Sequence, residues 1–162
     1  MTKVAHSIAL ALALSLLISC ATTPRYTSPD QLDIAEQVFR SLVGDDASSS
    51  EAKPAVLCFT GSRSPDAAFM ARFHDLRRPI HACAEGGAGL LKGTDVPEYQ
   101  LRATHQPALK FSLNEIVLTS PTQATAKAIY YEASESFGGY VLELEKTAKG
   151  WVVLKRDLEW LG

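Results

Sequence analysis

His74 and Asp75 stand side by side, and a histidine next to a carboxylate is the pair that general acid–base chemistry uses, because imidazole changes charge near neutral pH. His105 lies further along the chain with no acid beside it. His81, Cys83 and Glu85 occupy alternate positions. On a strand they would project from one face, as metal ligands can, although three ligands from one short strand crowd a tetrahedral site. A cysteine also has a competing use in a disulfide. A histidine at a helix end most simply satisfies free carbonyls. There is no serine elbow, no His-Glu-x-x-His and no paired-carboxylate signature. No catalytic residue, metal ligand or cofactor is therefore assigned. His74, His81 and His105 remain as the residues that a histidine-dependent enzyme would employ.

Two further stretches bear on binding. Residues 86–94, Gly-Gly-Ala-Gly-Leu-Leu-Lys-Gly-Thr, superficially suggest a phosphate loop, but that loop needs its lysine directly before serine or threonine. They read instead as an exposed loop on the rim of a pocket. Tyr130, Tyr131, Tyr140, Trp151 and Trp160 recur at strand spacing, where aromatic residues serve as core or cross-strand pairs and can also line a cavity. Arg156 falls among apolar neighbours on the same predicted face. Tyr130, Tyr140, Trp160 and Arg156 are the candidate pocket.

The elements that would position these residues begin with a helix. Ser28-Pro29-Asp30-Gln31 combines a cap, a proline at the first helical position and a capping-box glutamine. Leu32, Ile34, Ala35, Val38, Phe39 and Leu42 then form an apolar stripe, closed by Gly44. Residues 45–53 are acidic and serine-rich, a solvated loop. Residues 55–59 read as a short buried strand and 80–85 as another. A helix begins between them at Ser64-Pro65-Asp66 and ends near Arg77-Arg78, where the macrodipole favours cations. Residues 86–106 are loop-rich.

Residues 108–160 alternate with period two over four runs. Leu109, Phe111 and Leu113 share a face, and a bulge near Asn114–Glu115 would bring Ile116 and Leu118 into register. Ala124, Ala126, Ala128 and Tyr130 form a face small enough to admit a helix. Tyr140, Leu142 and Leu144 face inward in the third run. Lys149-Gly150 makes a tight turn. The fourth run puts Val152, Leu154, Leu158 and Trp160 on one face, interrupted by Arg156. Short connections make the four runs antiparallel neighbours.

At the other end, Lys3 gives a positive start and residues 8–18 form an apolar core of roughly ten residues, shorter than the ~20 that a membrane-spanning helix needs. The run ends Leu17-Ile18-Ser19-Cys20, which resembles the lipobox of bacterial lipoproteins over the first twenty residues. The alternative is an ordinary signal peptide with a chance cysteine near its end. The resemblance implies cleavage before Cys20 and acylation of its thiol and amino group, and two or three acyl chains hold a protein stably at a membrane. Ala21 in the next position leans toward the outer membrane, on the rule that aspartate there retains lipoproteins at the inner one. The expected organisation is a signal peptide over 1–19, a lipidated cysteine and tether over 20–27 and one domain over 28–162. Without Lys3 the net charge of −2 becomes −3. No basic stripe is present, so nucleic acid is not an expected partner.

With Cys20 acylated, Cys58 and Cys83 are an even pair in an oxidising compartment, which suggests a disulfide; the alternative is two buried free thiols. The expected fold is α+β: an N-terminal helix and a short β-α-β segment packed on a curved antiparallel meander of about four strands. Over residues 54–162 the pattern resembles the cystatin-like and NTF2-like rolls. These host enzymes, binders and inert scaffolds alike. The expected function is a non-catalytic, membrane-anchored envelope domain that binds a partner or ligand. The alternatives are a roll binding a small molecule in an aromatic-lined pocket and a histidine-dependent enzyme.

Overall fold

The computed structural model describes residues 26–45 and 53–162. The expected signal peptide, Cys20 and most of the tether lie outside the described residues. No helix among the described residues is long and apolar enough to cross a membrane.

The first helix, α1, spans Pro29–Asp45. Its start follows from the cap: the Gln31 amide donates to Ser28 Oγ at 3.2 Å and satisfies one of the orphan donors of the first turn. Ile34, Ala35, Val38, Phe39, Leu42 and Val43 are buried along one side. Each large apolar side chain so buried contributes about 1.5–3 kcal/mol. Asp30 anchors the N-terminal end to the sheet, accepting from Lys146 Nζ at 2.6 Å and from Trp151 Nε1 at 3.1 Å.

The sheet has eight strands: β1 (Ala55–Phe59), β2 (Ile80–Ala82), β3 (Gly86–Leu90), β4 (Pro97–Leu101), β5 (Leu109–Ser120), β6 (Gln123–Ala133), β7 (Ser136–Thr147) and β8 (Gly150–Leu161). A short helix, α2 (Ala67–Met70), runs on into a 3-10 turn over Ala71–Phe73. Asp66 caps it, accepting from the Phe69 amide at 2.8 Å. The helix thus stops short of Arg77-Arg78.

The expected roll is corrected here. Strands β5 to β8 form the antiparallel meander, but they are half of one large, open, mixed sheet that neither closes nor curls. The β1-α2-β2 unit does not pack on the meander. It extends it, because β1 pairs in parallel with both β2 and the free edge of β5. An interior strand is covered on both faces, so all five residues of β1 are buried. Ala55, Leu57 and Phe59 join the main core beneath α1 and α2, while Val56 and Cys58 join a second, smaller core on the opposite face.

The supposed loop over 86–106 is corrected as well: it contains the antiparallel hairpin β3–β4. Its glycines make room for bulk. A Cβ on Gly86 would stand 2.5 Å from the Tyr99 hydroxyl, and one on Gly89 would stand 2.4 Å from Gln100 Oε1. Low intrinsic strand propensity is overridden here by pairing and close approach.

On the meander, the register shift between Leu113 and Glu115 lies at the expected bulge. Ala124, Ala126 and Ala128 lie buried in the main core with α1. Strand β8 departs from simple alternation. Two register shifts against β7 insert Leu154 and Glu159 as extra residues, so Val153, Arg156 and Leu158 oppose Leu144, Leu142 and Tyr140 on the inner face. Trp160 instead opposes Gly139 and lies on the outer face. The expected face of Val152, Leu154, Leu158 and Trp160 does not exist.

Candidate functional site

The inner face changes character along β6. Alanine at 124, 126 and 128 lets α1 approach the sheet, and Tyr130 then ends the row of small side chains. Near the C-terminal end of α1 this leaves a cleft of about 320 Å³. Leu42, Leu109 and Phe111 form its apolar part, Tyr130 and Tyr140 its aromatic part, and Glu132, Ser136 and Arg156 its polar part.

Arg156 reaches from β8 to α1. Its Nη1 donates to the Ser41 carbonyl at 2.9 Å, and its guanidinium stands 5.3 Å from the centroid of the Tyr140 ring. The last turn of α1 carries no basic residue of its own. Arg156 brings a positive charge to the negative end of the helix dipole. The Tyr130 and Tyr140 rings lie 6.0 Å apart, within range for a favourable aromatic pair.

Glu132 is held from two sides. Lys53 pairs with its Oε1, and Ser136 Oγ donates to Oε2 at 2.9 Å. Burial pushes the carboxyl up, but the hydrogen bonds from Lys53 and Ser136 together hold it below the usual glutamate range. A carboxylate whose folded pKa is depressed contributes stability above its unfolded pKa, about 4.3, and loses it as pH falls through the folded value. Urea midpoints measured from about pH 6 to about pH 3 should therefore fall more steeply for the wild type than for Glu132→Gln. Parallel profiles would show that Glu132 is not coupled to folding.

Of the expected pocket residues, the fold brings Tyr130, Tyr140 and Arg156 together and sends Trp160 to the other side of the sheet. There the Trp160 ring covers Gly139, whose Cβ would meet it at 2.3 Å, and stands edge-on to Phe137 at 5.7 Å. The outer face carries its own aromatic row, in which Tyr99, Tyr131, Phe137 and Trp160 follow one another at centroid separations of 6.4, 6.2 and 5.7 Å. Glu132 and Ser136 belong to the cleft but were not among the expected residues. Glu132 follows Tyr130 in phase on β6, so a charge on an inward position was the signal for it.

The histidines take separate local roles. His74 Nδ1 lies 2.9 Å from the Ala71 carbonyl, at a helix end, while Asp75 pairs with Arg40. His81 Nδ1 lies 2.9 Å from Glu85 Oε2, and that carboxylate is held below its usual range first by His81 and then by the Ala82 amide. His105 sits in the turn between β4 and β5 with φ 55°. The strand bearing His81 ends at Ala82, and Cys83 opens a 3-10 turn. Cys83 is bonded to Cys58, with the two Cα atoms 4.8 Å apart. No group of three metal-ligating residues occurs among the described residues.

No protein-family model, no curated protein and no solved structure matches this chain.

Proposed function

We propose that this protein is a membrane-anchored ligand-binding domain that takes a small polar molecule with a flat apolar part into the cleft at the end of α1. The observation that carries this reading is the composition of the cleft. Paired tyrosines and an apolar floor offer a surface for a flat body. Glu132, Ser136 and Arg156 converge on the same space and can fix its orientation. Lipidation at Cys20 would hold the domain at a bacterial envelope membrane, with the outer membrane favoured. That part rests on the Leu17-Ile18-Ser19-Cys20 resemblance. Palmitate supplied to expressing cells should label the wild type and leave Cys20→Ser unlabelled; equal labelling would remove the anchor from the proposal.

Ligand binding is tested by native mass of the full-length protein released from mild detergent, followed by thermal shift over a panel of small polar aromatic compounds. The expected result is a discrete excess mass lost on denaturation, or a compound that raises the melting temperature. Saturation at a hundredfold excess over Kd corresponds to about 2.7 kcal/mol of stabilisation. Arg156→Met should abolish that shift. A bare mass with a flat panel, or a shift that survives in Arg156→Met, would place the ligand elsewhere or nowhere.

The second reading, binding of an envelope protein partner, is favoured by one observation. Among the described residues strand β8 is paired only with β7, and Leu154 and Leu161 on it are 62% and 65% exposed. An open apolar edge invites another strand. Cysteine at position 154 carrying a photocrosslinker should then capture a reproducible partner from intact cells. Labelling no different from that of a crosslinker at Lys127 would count against it.

A further inference from the structure

The outer face holds a second cavity, of about 510 Å³, beneath the β3–β4 hairpin. Cys83, Tyr131, Tyr99 and the backbone of β3 line it together with Ser62, Arg102 and Lys110. It lies across the sheet from the cleft at α1, since Lys110 alternates with the inward Leu109 and Phe111.

Two cations share this cavity. Lys110 rises between β1 and β6, opposite Val56 on one side and Tyr131 on the other. Its Nζ stands 5.7 Å from the centroid of the Tyr99 ring and 3.4 Å from Ser62 Oγ. Arg102 Nε donates to the Gly86 carbonyl at 2.6 Å. The other four guanidinium N–H groups meet no acceptor among the described residues. Gly87 is what lets this side chain lie across β3, because a Cβ there would come within 3.1 Å of Arg102 Cζ. Among the described residues no carboxylate pairs with either Lys110 or Arg102.

A partly buried ammonium without an anion is costly, and burial does push Lys110 below its usual range. An arginine fork and a lysine point charge at one cavity match a phosphate better than a carboxylate, since a phosphate monoester carries about −1.5 to −2 charge at pH 7 and three acceptor oxygens. The aromatic walls then suit a flat group attached to it. Lys92 and Thr94 of the glycine-rich run take no part, since they lie in the β3–β4 connection outside the cavity lining, which the run enters only through Gly86, Gly87 and Ala88.

We propose that this cavity binds a phosphate monoester on a flat apolar body, with Lys110 and Arg102 holding the dianion and Tyr99 and Tyr131 holding the body. The site is independent of the cleft at α1, and its test reads separately.

Phenyl phosphate is titrated calorimetrically into the full-length protein in mild detergent, with inorganic phosphate and benzoate as comparisons. Phenyl phosphate should bind saturably, one per chain, and more tightly than either comparison compound. Lys110→Met and Arg102→Gln should each weaken it about tenfold or more, the loss expected for a charged hydrogen bond. Arg156→Met should leave it unchanged. Arg102 is exposed, so Arg102→Gln answers the question even if Lys110→Met fails to fold. Absence of saturable heat, wild-type affinity in the folded variants, or loss of binding in Arg156→Met would each overturn the site. Benzoate binding as tightly as phenyl phosphate would overturn the dianion, and inorganic phosphate doing so would overturn the flat body.

Discussion

Phe39→Ala is expected to destabilise the protein by about 4 kcal/mol, near the top of what a single core truncation costs. Phe39 is fully buried on α1 and meets three other rings: Phe59 at 6.0 Å, Phe69 at 6.2 Å and Phe73 at 6.4 Å between centroids. Those rings come from β1, α2 and the 3-10 turn after it, so Phe39 joins three elements. Truncation removes the ring's transfer energy and leaves a void that stiff neighbours cannot fill. Guanidinium unfolding followed by far-UV dichroism measures the cost. A loss under about 1.5 kcal/mol would mean that the site relaxes and that α1 is held mainly by its ends. There is also a functional consequence. Leu42 lines the cleft and the Ser41 carbonyl holds Arg156 in it, both within the next turn of the same helix. A loosened α1 should therefore weaken any ligand at Tyr130 and Tyr140 while sparing one at Lys110.

Removing the disulfide should have the second largest effect. Cys58 and Cys83 are separated by 25 positions, and closing a loop of that length stabilises by about 3.5 kcal/mol on the chain-entropy estimate. The paired substitution Cys58→Ala, Cys83→Ala should lower the melting temperature by roughly ten degrees or more, at about 4–8 °C per kcal/mol for 60–100 residues and about 2–4 °C at larger size. Wild type in strong reductant should move the same way. The bridge also fastens the end of β2 to β1 inside the small outer core with Tyr99, Leu101 and Ala108. Its loss should disturb the Lys110 cavity, which Cys83 lines, more than the cleft on the other face. Unchanged stability in the double variant would mean that packing of Val56, Tyr99 and Tyr131 holds this core by itself.

Some of this protein is written in local sequence. Ser28 and the spacing of Ile34, Val38, Phe39 and Leu42 specify α1, because a cap and a 3.6-residue period are decided within one segment. The alternation of Leu109, Phe111, Leu113 and of the three alanines specifies β5 and β6 and the face that receives the helix, for the same local reason. Cys58 and Cys83 were legible as a pair from their number and setting. Tertiary structure alone decided the rest. A strand does not announce its partner, so nothing within residues 55–59 says that β1 completes the sheet beside β5 rather than packing over it. Nothing in Gly86-Gly87-Ala88-Gly89 signals a strand until Tyr99 and Gln100 lie across from it. The candidate pocket shows the same limit at one residue's resolution. Tyr130, Tyr140 and Arg156 met as their alternation implied. Trp160 did not, because Glu159 is an extra residue against β7 between Leu158 and Trp160, and an extra residue turns every side chain beyond it to the other face. Which face a side chain occupies depends on the pairing of two strands, and pairing is a property of the folded chain.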